Sequence, residues 1–325
     1  MLALFRTNQL LGGVLLLPYL VLLRLDGFWQ TPAALAPVPG FGNSWLIPWL
    51  NQYADWQWSI LLLLVFVQAT LANSLAFQHR LTPIVNLFPG VFVCLLCSLL
   101  PTFNVYSPYL VANVFLLLAV RSTLAAFRQM SAAVPIFNAG AWLGLATLFV
   151  PTYVWLLLPL GVALTVLKSG RFRDQLILIL GLTLPHYLLG IYFFWDDQLA
   201  YFWSKQWSGV WHWPNLLPLE WPMLPGFSLL TVLLAYVLFS ANNLKSKMKM
   251  EVQTKLGVLY WVLFGLGISV VFTMPWQMEK WLAMAPIAGI LLSMRFTKMR
   301  AATAETWHLL LVVALLALHW SSYLL

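Results

Sequence analysis

The sequence predicts an all-α, polytopic membrane fold. Three observations carry that prediction: 62% of the 325 residues are hydrophobic, only 8% are charged, and apolar runs recur along the whole chain. An ordinary soluble domain is about a quarter charged, so water is not the main solvent here. No polar segment of domain size interrupts the runs, and residues 1–325 are expected to form a single transmembrane domain without a soluble catalytic unit.

The runs begin near residues 9, 59, 84, 109, 134, 153, 175, 223, 257, 281 and 307, most of them 17 to 21 residues long. That is enough helix to cross a hydrocarbon core of about 30 Å, so about eleven spans are expected. The first run, GGVLLLPYLVLL, follows Arg6 and has the look of a signal peptide. Its nearest small-residue stretch, AALA at 33–36, lies about ten residues too far on, so the run is kept as the first span. The pair 134–150 and 153–167 turns at Val150-Pro151-Thr152 and reads as a helical hairpin, because Pro151 cannot continue a helix. The run 281–294 reaches only about 21 Å as a helix. It is retained because the basic clusters on either side of it belong on one face.

Orientation follows from charge. Read alternately, one set of connecting segments holds Arg6, Arg80, Arg128, Lys168, Arg171, Arg173, Lys245, Lys247, Lys249, Lys255, Arg295, Lys298 and Arg300, which with Arg121 makes 14 of the 17 basic residues. The other set has only Arg24, Lys205 and Lys280, but six of the nine acids: Asp26, Asp55, Asp196, Asp197, Glu220 and Glu279. The positive-inside rule makes the first set cytoplasmic, including the N-terminus and the loop 244–256. An odd number of spans then puts the C-terminus outside. The net charge of +8 is therefore an orientation signal, and no nucleic-acid partner is implied; the bilayer is the partner that composition names.

Two outer loops are long enough to build a site, 26–58 and 195–222. In the first, NSWLIPWLNQYADWQW places Trp45, Trp49, Tyr53 and Trp56 at helical spacing after a cap at Asn43 or Ser44. In the second, Leu199, Trp203, Trp207 and Trp211 fall four apart. Both predict amphipathic helices lying at the membrane surface and roofing the outer side. Their tryptophans read either as an aromatic belt at headgroup level or, for Trp203 and Trp207, as a platform for a sugar face or an isoprenoid chain.

Carboxylates at such a face can act as general bases or hold a divalent cation. Asp26 follows the first span directly beside Arg24, and the pair Asp196-Asp197 follows the aromatic end IYFFW. These three are the candidate catalytic residues, and Arg24, Lys205 and Lys280 are the candidates to hold phosphate. No metal-ligand spacing is present: Cys94 and Cys97 lie inside the apolar stretch PGVFVCLLCSLLP with no second ligand pair, and read as small core residues. Within the membrane, Asn73, Arg121 and Asn138 fall at similar inner depth and are expected to form a hydrogen-bonded knot, with a lipid-phosphate site as the other reading. His186, after Pro185, is expected to bond a backbone carbonyl freed by the proline, or else to shuttle protons.

Two resemblances emerge from these segments. The order LFRTN, QATLANSLAFQHRL, SPYLVANVFLLLAVRS and FNAGAWLGLATLFVPTYVWLLLP resembles a family of polytopic inner-membrane proteins from Bacteroidota, which brings no established activity. It implies a bacterial inner-membrane location. Residues 108–195, with the small-residue helix NAGAWLGLATLF, a proline turn and the basic exit LKSGRFRD, are similar to the central part of GT-C glycosyltransferases. That resemblance implies a polyisoprenoid-phosphate-linked sugar as donor, a divalent cation as cofactor, and Asp26 as the acid of the first outer loop. The second member of the usual acidic pair is missing. The expected functions are, in order, such a transferase, a non-enzymatic subunit or scaffold of an envelope assembly or secretion complex with protein partners at the outer loops, and a transporter.

Overall fold

The computed structural model describes residues 2–6, 10–28, 34–82, 84–129, 131–168, 172–207, 210, 224–241, 248–271 and 277–321. Trp211, Glu220, Arg171, Lys245 and Lys247 lie outside the described residues. Every described regular element is helical. Each apolar run carries an α-helix: α1 (Leu10–Leu23), α3 (Gln57–Gln78), α4 (Phe88–Cys97), α5 (Pro108–Ala125), α6 (Ala133–Phe149), α7 (Leu157–Lys168), α8 (Phe172–Trp195), α10 (Leu224–Phe239), α11 (Met250–Val271), α12 (Ala285–Thr297) and α13 (Ala301–Ser321). The two tryptophan-rich segments form α2 (Asn43–Gln52) and α9 (Leu199–Trp207). Five stretches are long and apolar enough to cross a membrane, namely Ala54–Gln78, Pro108–Ala125, Phe172–Trp195, Met250–Val271 and Ala301–Trp320.

The centre of the bundle is made by α4 and α12. All ten residues of α4 are buried, as is every residue of α12 from Ala285 to Met294. The run near residue 84 thus yields a ten-residue helix, shorter than the 17 to 21 residues its hydropathy suggests. Pro89 in the first turn fixes its start, and beyond Cys97 the chain tightens into a 3-10 turn at Pro101–Asn104. At the crossing, Gly289 leaves room for the backbone of Val93: a Cβ there would stand 2.9 Å from the Val93 nitrogen. Around this pair the longer helices present one side to the core and the other outward. The α8 window is only 28% buried.

The hairpin expected at Pro151 is present. α6 ends at Phe149, Pro151–Leu156 is a 3-10 turn, and α7 runs back. α6 also packs on α8 through small residues. A Cβ at Gly140 or Gly144 would collide with the backbone carbonyls of Leu178 and Leu182, and one at Gly181 with that of Phe137. Residues four apart share a helix face, so Gly140 and Gly144 let two backbones touch, the usual device for joining helices in lipid.

The connecting segments meet at two ends. At one end Leu87 N–H donates to the Phe5 carbonyl, Asn86 to the Thr297 hydroxyl, and Lys255 to the His79 carbonyl. At the other, the segment leading into α2 meets α9 and the end of α6: Gly40 N–H donates to the Lys205 carbonyl, and Gln206 bridges Phe41 N–H and the Thr147 carbonyl. α2 begins where the sequence places it, but without a side-chain cap. Asn43 instead donates to the carbonyls of Pro39 and Phe149, and Ser44 to that of Phe41. Trp45 and Trp49 are exposed on it, but the helix ends at Gln52, so Tyr53 falls at its cap and Trp56 in the 3-10 turn Ala54–Trp56, both exposed beyond the expected single helix.

Candidate functional site

α1 ends at Leu23, and the next residue carries the first charge of the acidic end. Arg24 is fully buried. Its Nε donates to the Ser98 hydroxyl at 2.8 Å, one terminal nitrogen to the Phe103 carbonyl at 3.0 Å, and the other to the Cys97 carbonyl. A helix C-terminus leaves its last carbonyls without intrahelical donors, and the guanidinium supplies them for α4. Arg24 is therefore a strut between α1, α4 and the Pro101 turn. All three nitrogens are engaged inside the protein, so it does not serve as the phosphate ligand that the sequence suggests.

Two residues on, Asp26 is held at the centre of a polar cluster. Its carboxylate accepts from Asn104 Nδ2 at 2.7 and 2.9 Å, and lies 3.0 Å from His319 Nδ1, with side-chain exposures of 10% for Asp26 and 4% for His319. Asn104 comes from the Pro101–Asn104 turn and His319 from the last turns of α13, so the first and last apolar helices are tied together at this end. Burial pushes the Asp26 carboxyl up, but the contact with His319, the Asn104 amide and the Gly27 backbone outweigh it, and the net shift is downward. With Nδ1–H donated to the carboxylate, Nε2 becomes the basic nitrogen of the imidazole. A carboxylate that orients a histidine is the arrangement used to take a proton from a hydroxyl.

A divalent cation needs several oxygen ligands. Asp26 brings one carboxylate, already engaged with Asn104 and His319, and among the described residues no three His, Cys, Asp or Glu side chains come together. The residues of this cluster do not fit such an ion.

The other predicted site residues lie elsewhere. Asp196 and Asp197 are both exposed after α8, and do not converge with Asp26. Trp203 and Trp207 line an apolar groove of about 480 Å³ between α8 and α9, together with His186. The Trp203 and Trp207 rings stack 6.1 Å apart, and Trp207 stacks on His186 at 5.6 Å. His186 Nδ1 faces the Leu182 carbonyl at 3.2 Å and Nε2 the Thr147 hydroxyl at 3.3 Å. The histidine does meet a backbone carbonyl, but that of its own preceding turn; the one freed by Pro185 belongs to Gly181, four residues before the proline. Lys205 lines a different cavity, of about 490 Å³, between the 35–40 segment, α2 and α9. Lys280 is buried on the 3-10 turn Met278–Met284, which packs against the Pro101 turn. Burial lowers its pKa to about 8, partly offset by Glu279.

The inner knot does not form. Asn73 accepts from Gly90 N–H at 2.7 Å, supplying one of the unpartnered amides in the first turn of α4. Asn138 is exposed and Arg121 half-buried, and no hydrogen bond among the three is present in the described residues.

Sequence reasoning missed His319 and Asn104. The signal for His319 was its place: a titratable residue near the end of the last apolar run, at the same end of the bundle as Asp26 by the parity of the runs. A second apolar groove runs close by, between α10 and α13. It has a volume of about 610 Å³ and is lined by Pro225, Leu229 and Val232 on one side and Ala314, Ala317 and Leu318 on the other. Its end at Leu318 is one residue from His319 in sequence. No protein-family model, curated protein or solved structure matches this chain.

Proposed function

We propose that the chain is a GT-C-like transferase, with eleven crossings in a bacterial inner membrane, its basic end in the cytoplasm, and Asp26 with His319 as the base of an outward-facing site. The observation that carries this reading is the 3.0 Å contact of the Asp26 carboxylate with His319 Nδ1. The substrate class is a polyisoprenoid-phosphate-linked sugar, its apolar chain lying in the α10–α13 groove. His319 Nε2, enclosed in the structure, is reached when the acceptor enters beside the end of α13, and takes the proton of its hydroxyl; the acceptor oxygen bonds to the sugar carbon as the bond from that carbon to the phosphate oxygen breaks. The polyisoprenoid phosphate leaves as an anion, and Lys280, on the turn that packs against the Pro101 turn carrying Asn104, is the cation assigned to it. The eleven helices of the apolar runs and the gathering of alternate connecting segments at two ends support the topology.

The test is turnover. Purified protein in nanodiscs is given a short-chain polyprenyl-phosphate sugar, and released polyprenyl phosphate is followed by mass spectrometry. Asp26→Asn and His319→Gln should each lower the rate about a hundredfold or more while leaving the protein folded. Wild-type turnover no higher than that of either variant overturns the reading.

One feature favours a docking role as a second reading. Trp195 is 88% exposed at the end of α8, next to exposed Asp196 and Asp197. If an envelope protein co-purifies in mild detergent and Trp195→Ala releases it, this end serves a partner; if nothing co-purifies, the docking reading fails.

A further inference from the structure

The end of the bundle opposite Asp26 holds a cavity of about 800 Å³ in which three basic side chains stand among apolar ones. Arg80, Lys249 and Lys298 line it, together with Gln78, Thr82 and a single acid, Glu251. That acid is already matched. The Lys255 ammonium lies 2.6 Å from Glu251 Oε1 and also donates to the His79 carbonyl, so the carboxylate and the buried lysine neutralise each other. Among the described residues, Arg80 and Lys249 have no carboxylate of their own. Arg80, Lys249 and Lys298 thus outnumber the one acid that lines the cavity, and Arg80 also acts on that acid from a distance.

Arg80 stands where its side-chain charge comes at a backbone cost. α3 closes with Leu81 N–H on the Ala76 carbonyl and Arg80 N–H on the Phe77 carbonyl, the two bonds of a Schellman ending. The residue at that turn must be left-handed, and Arg80 has φ of +50°. Glycine suits the position best, yet an arginine occupies it and lines the cavity. One wall is different in kind: Phe77, 57% exposed, and Val85 are apolar and face outward. A ligand bearing an anion at one end and hydrocarbon at the other satisfies both surfaces.

We infer that this cavity is a binding site for a phosphate group, and that the phosphate is the head group of an anionic phospholipid whose acyl chains pass over Phe77 into the bilayer. Basic pockets between membrane helices bind such head groups, with each lysine or arginine near the surface worth about a fivefold gain in affinity. The inference rests on the cavity alone and is independent of any chemistry at Asp26.

The experiment uses the whole protein, reconstituted in nanodiscs of phosphatidylcholine with or without phosphatidylglycerol, and counts retained phospholipid by native mass spectrometry. Wild type should keep phosphatidylglycerol in preference to phosphatidylcholine. The triple variant R80Q/K249Q/K298Q should bind it about a hundredfold more weakly, whereas R6Q/R173Q/R300Q, the same charge change on exposed basic residues outside the cavity, should keep it. Arg80→Gly separates binding from folding: it should be at least as heat-stable as wild type, yet bind about fivefold more weakly. Equal losses in the two triple variants, or no preference for the anionic lipid in wild type, overturn the site. A parallel arm titrates inorganic phosphate in detergent. If phosphate saturates wild type but not the cavity variant while lipid shows no preference, the phosphate chemistry holds and the lipid source is overturned.

Discussion

The two ends of the bundle handle charge in opposite ways. At the acidic end Arg24, Asn104 and His319 are buried and Asp26 nearly so, and all four are bonded to one another, to carbonyls or to the Ser98 hydroxyl. At the basic end Arg80, Lys249 and Lys298 stand around an open cavity, and the one acid there is matched by Lys255. The difference teaches that a cation at the end of a membrane helix is either a strut or a receptor, and that burial decides which. A buried guanidinium must find acceptors inside the protein, whereas an exposed one stays available to a ligand.

That comparison breaks most sharply at Arg24. Arg24→Met leaves the Cys97 and Phe103 carbonyls and the Ser98 hydroxyl without their donor, and should cost about 3 kcal/mol of stability, measured by unfolding in detergent. Removing a cation at the other end should do the reverse. Arg80→Gly relieves a left-handed arginine and should gain about 1 kcal/mol in the same assay. Equal losses at both positions would erase the distinction between strut and receptor.

A pH effect sharpens it. Because burial lowers the Lys280 pKa from 10.5 to about 8, the native protein holds fewer protons than the unfolded chain between those values. Stability should therefore rise with pH across that window and be lowest below it. In Lys280→Met the rise should vanish; a rise that persists assigns it to another group.

Smaller effects concern the helices that carry the grooves. Gly140→Leu forces α6 away from the Leu178 carbonyl and should cost about 2 kcal/mol, with loss of the Trp207–His186 stack visible in tryptophan fluorescence. Asn73→Ala removes the acceptor for Gly90 N–H and should cost about 1 kcal/mol.

Much of this was legible in the sequence. Hydropathy located the helices of all the apolar runs, and tryptophan spacing found α2 and α9, whereas His319 was not singled out. What hydropathy does not separate is protein core from lipid-facing surface, since both are apolar. α4 is buried throughout and α8 largely exposed, yet both read as spans. Partners were illegible for a related reason. An acid after the first span has many possible neighbours at that end of the bundle, and only packing selects Asn104 and His319. Arg24 read as a phosphate ligand because its burial against the end of α4 is a tertiary fact. Asn73 is similar: its amide goes to α4, the helix next in sequence, and not to Arg121 or Asn138, because the first turn of α4 lacks acceptors for its amides.

The most direct measurement is a double-mutant cycle on turnover of a polyprenyl-phosphate sugar, using Asp26→Asn, His319→Gln and the pair combined. If carboxylate and imidazole act as one base, the double variant should be no slower than the worse single variant. Losses that multiply, or single variants as fast as wild type, would contradict the account.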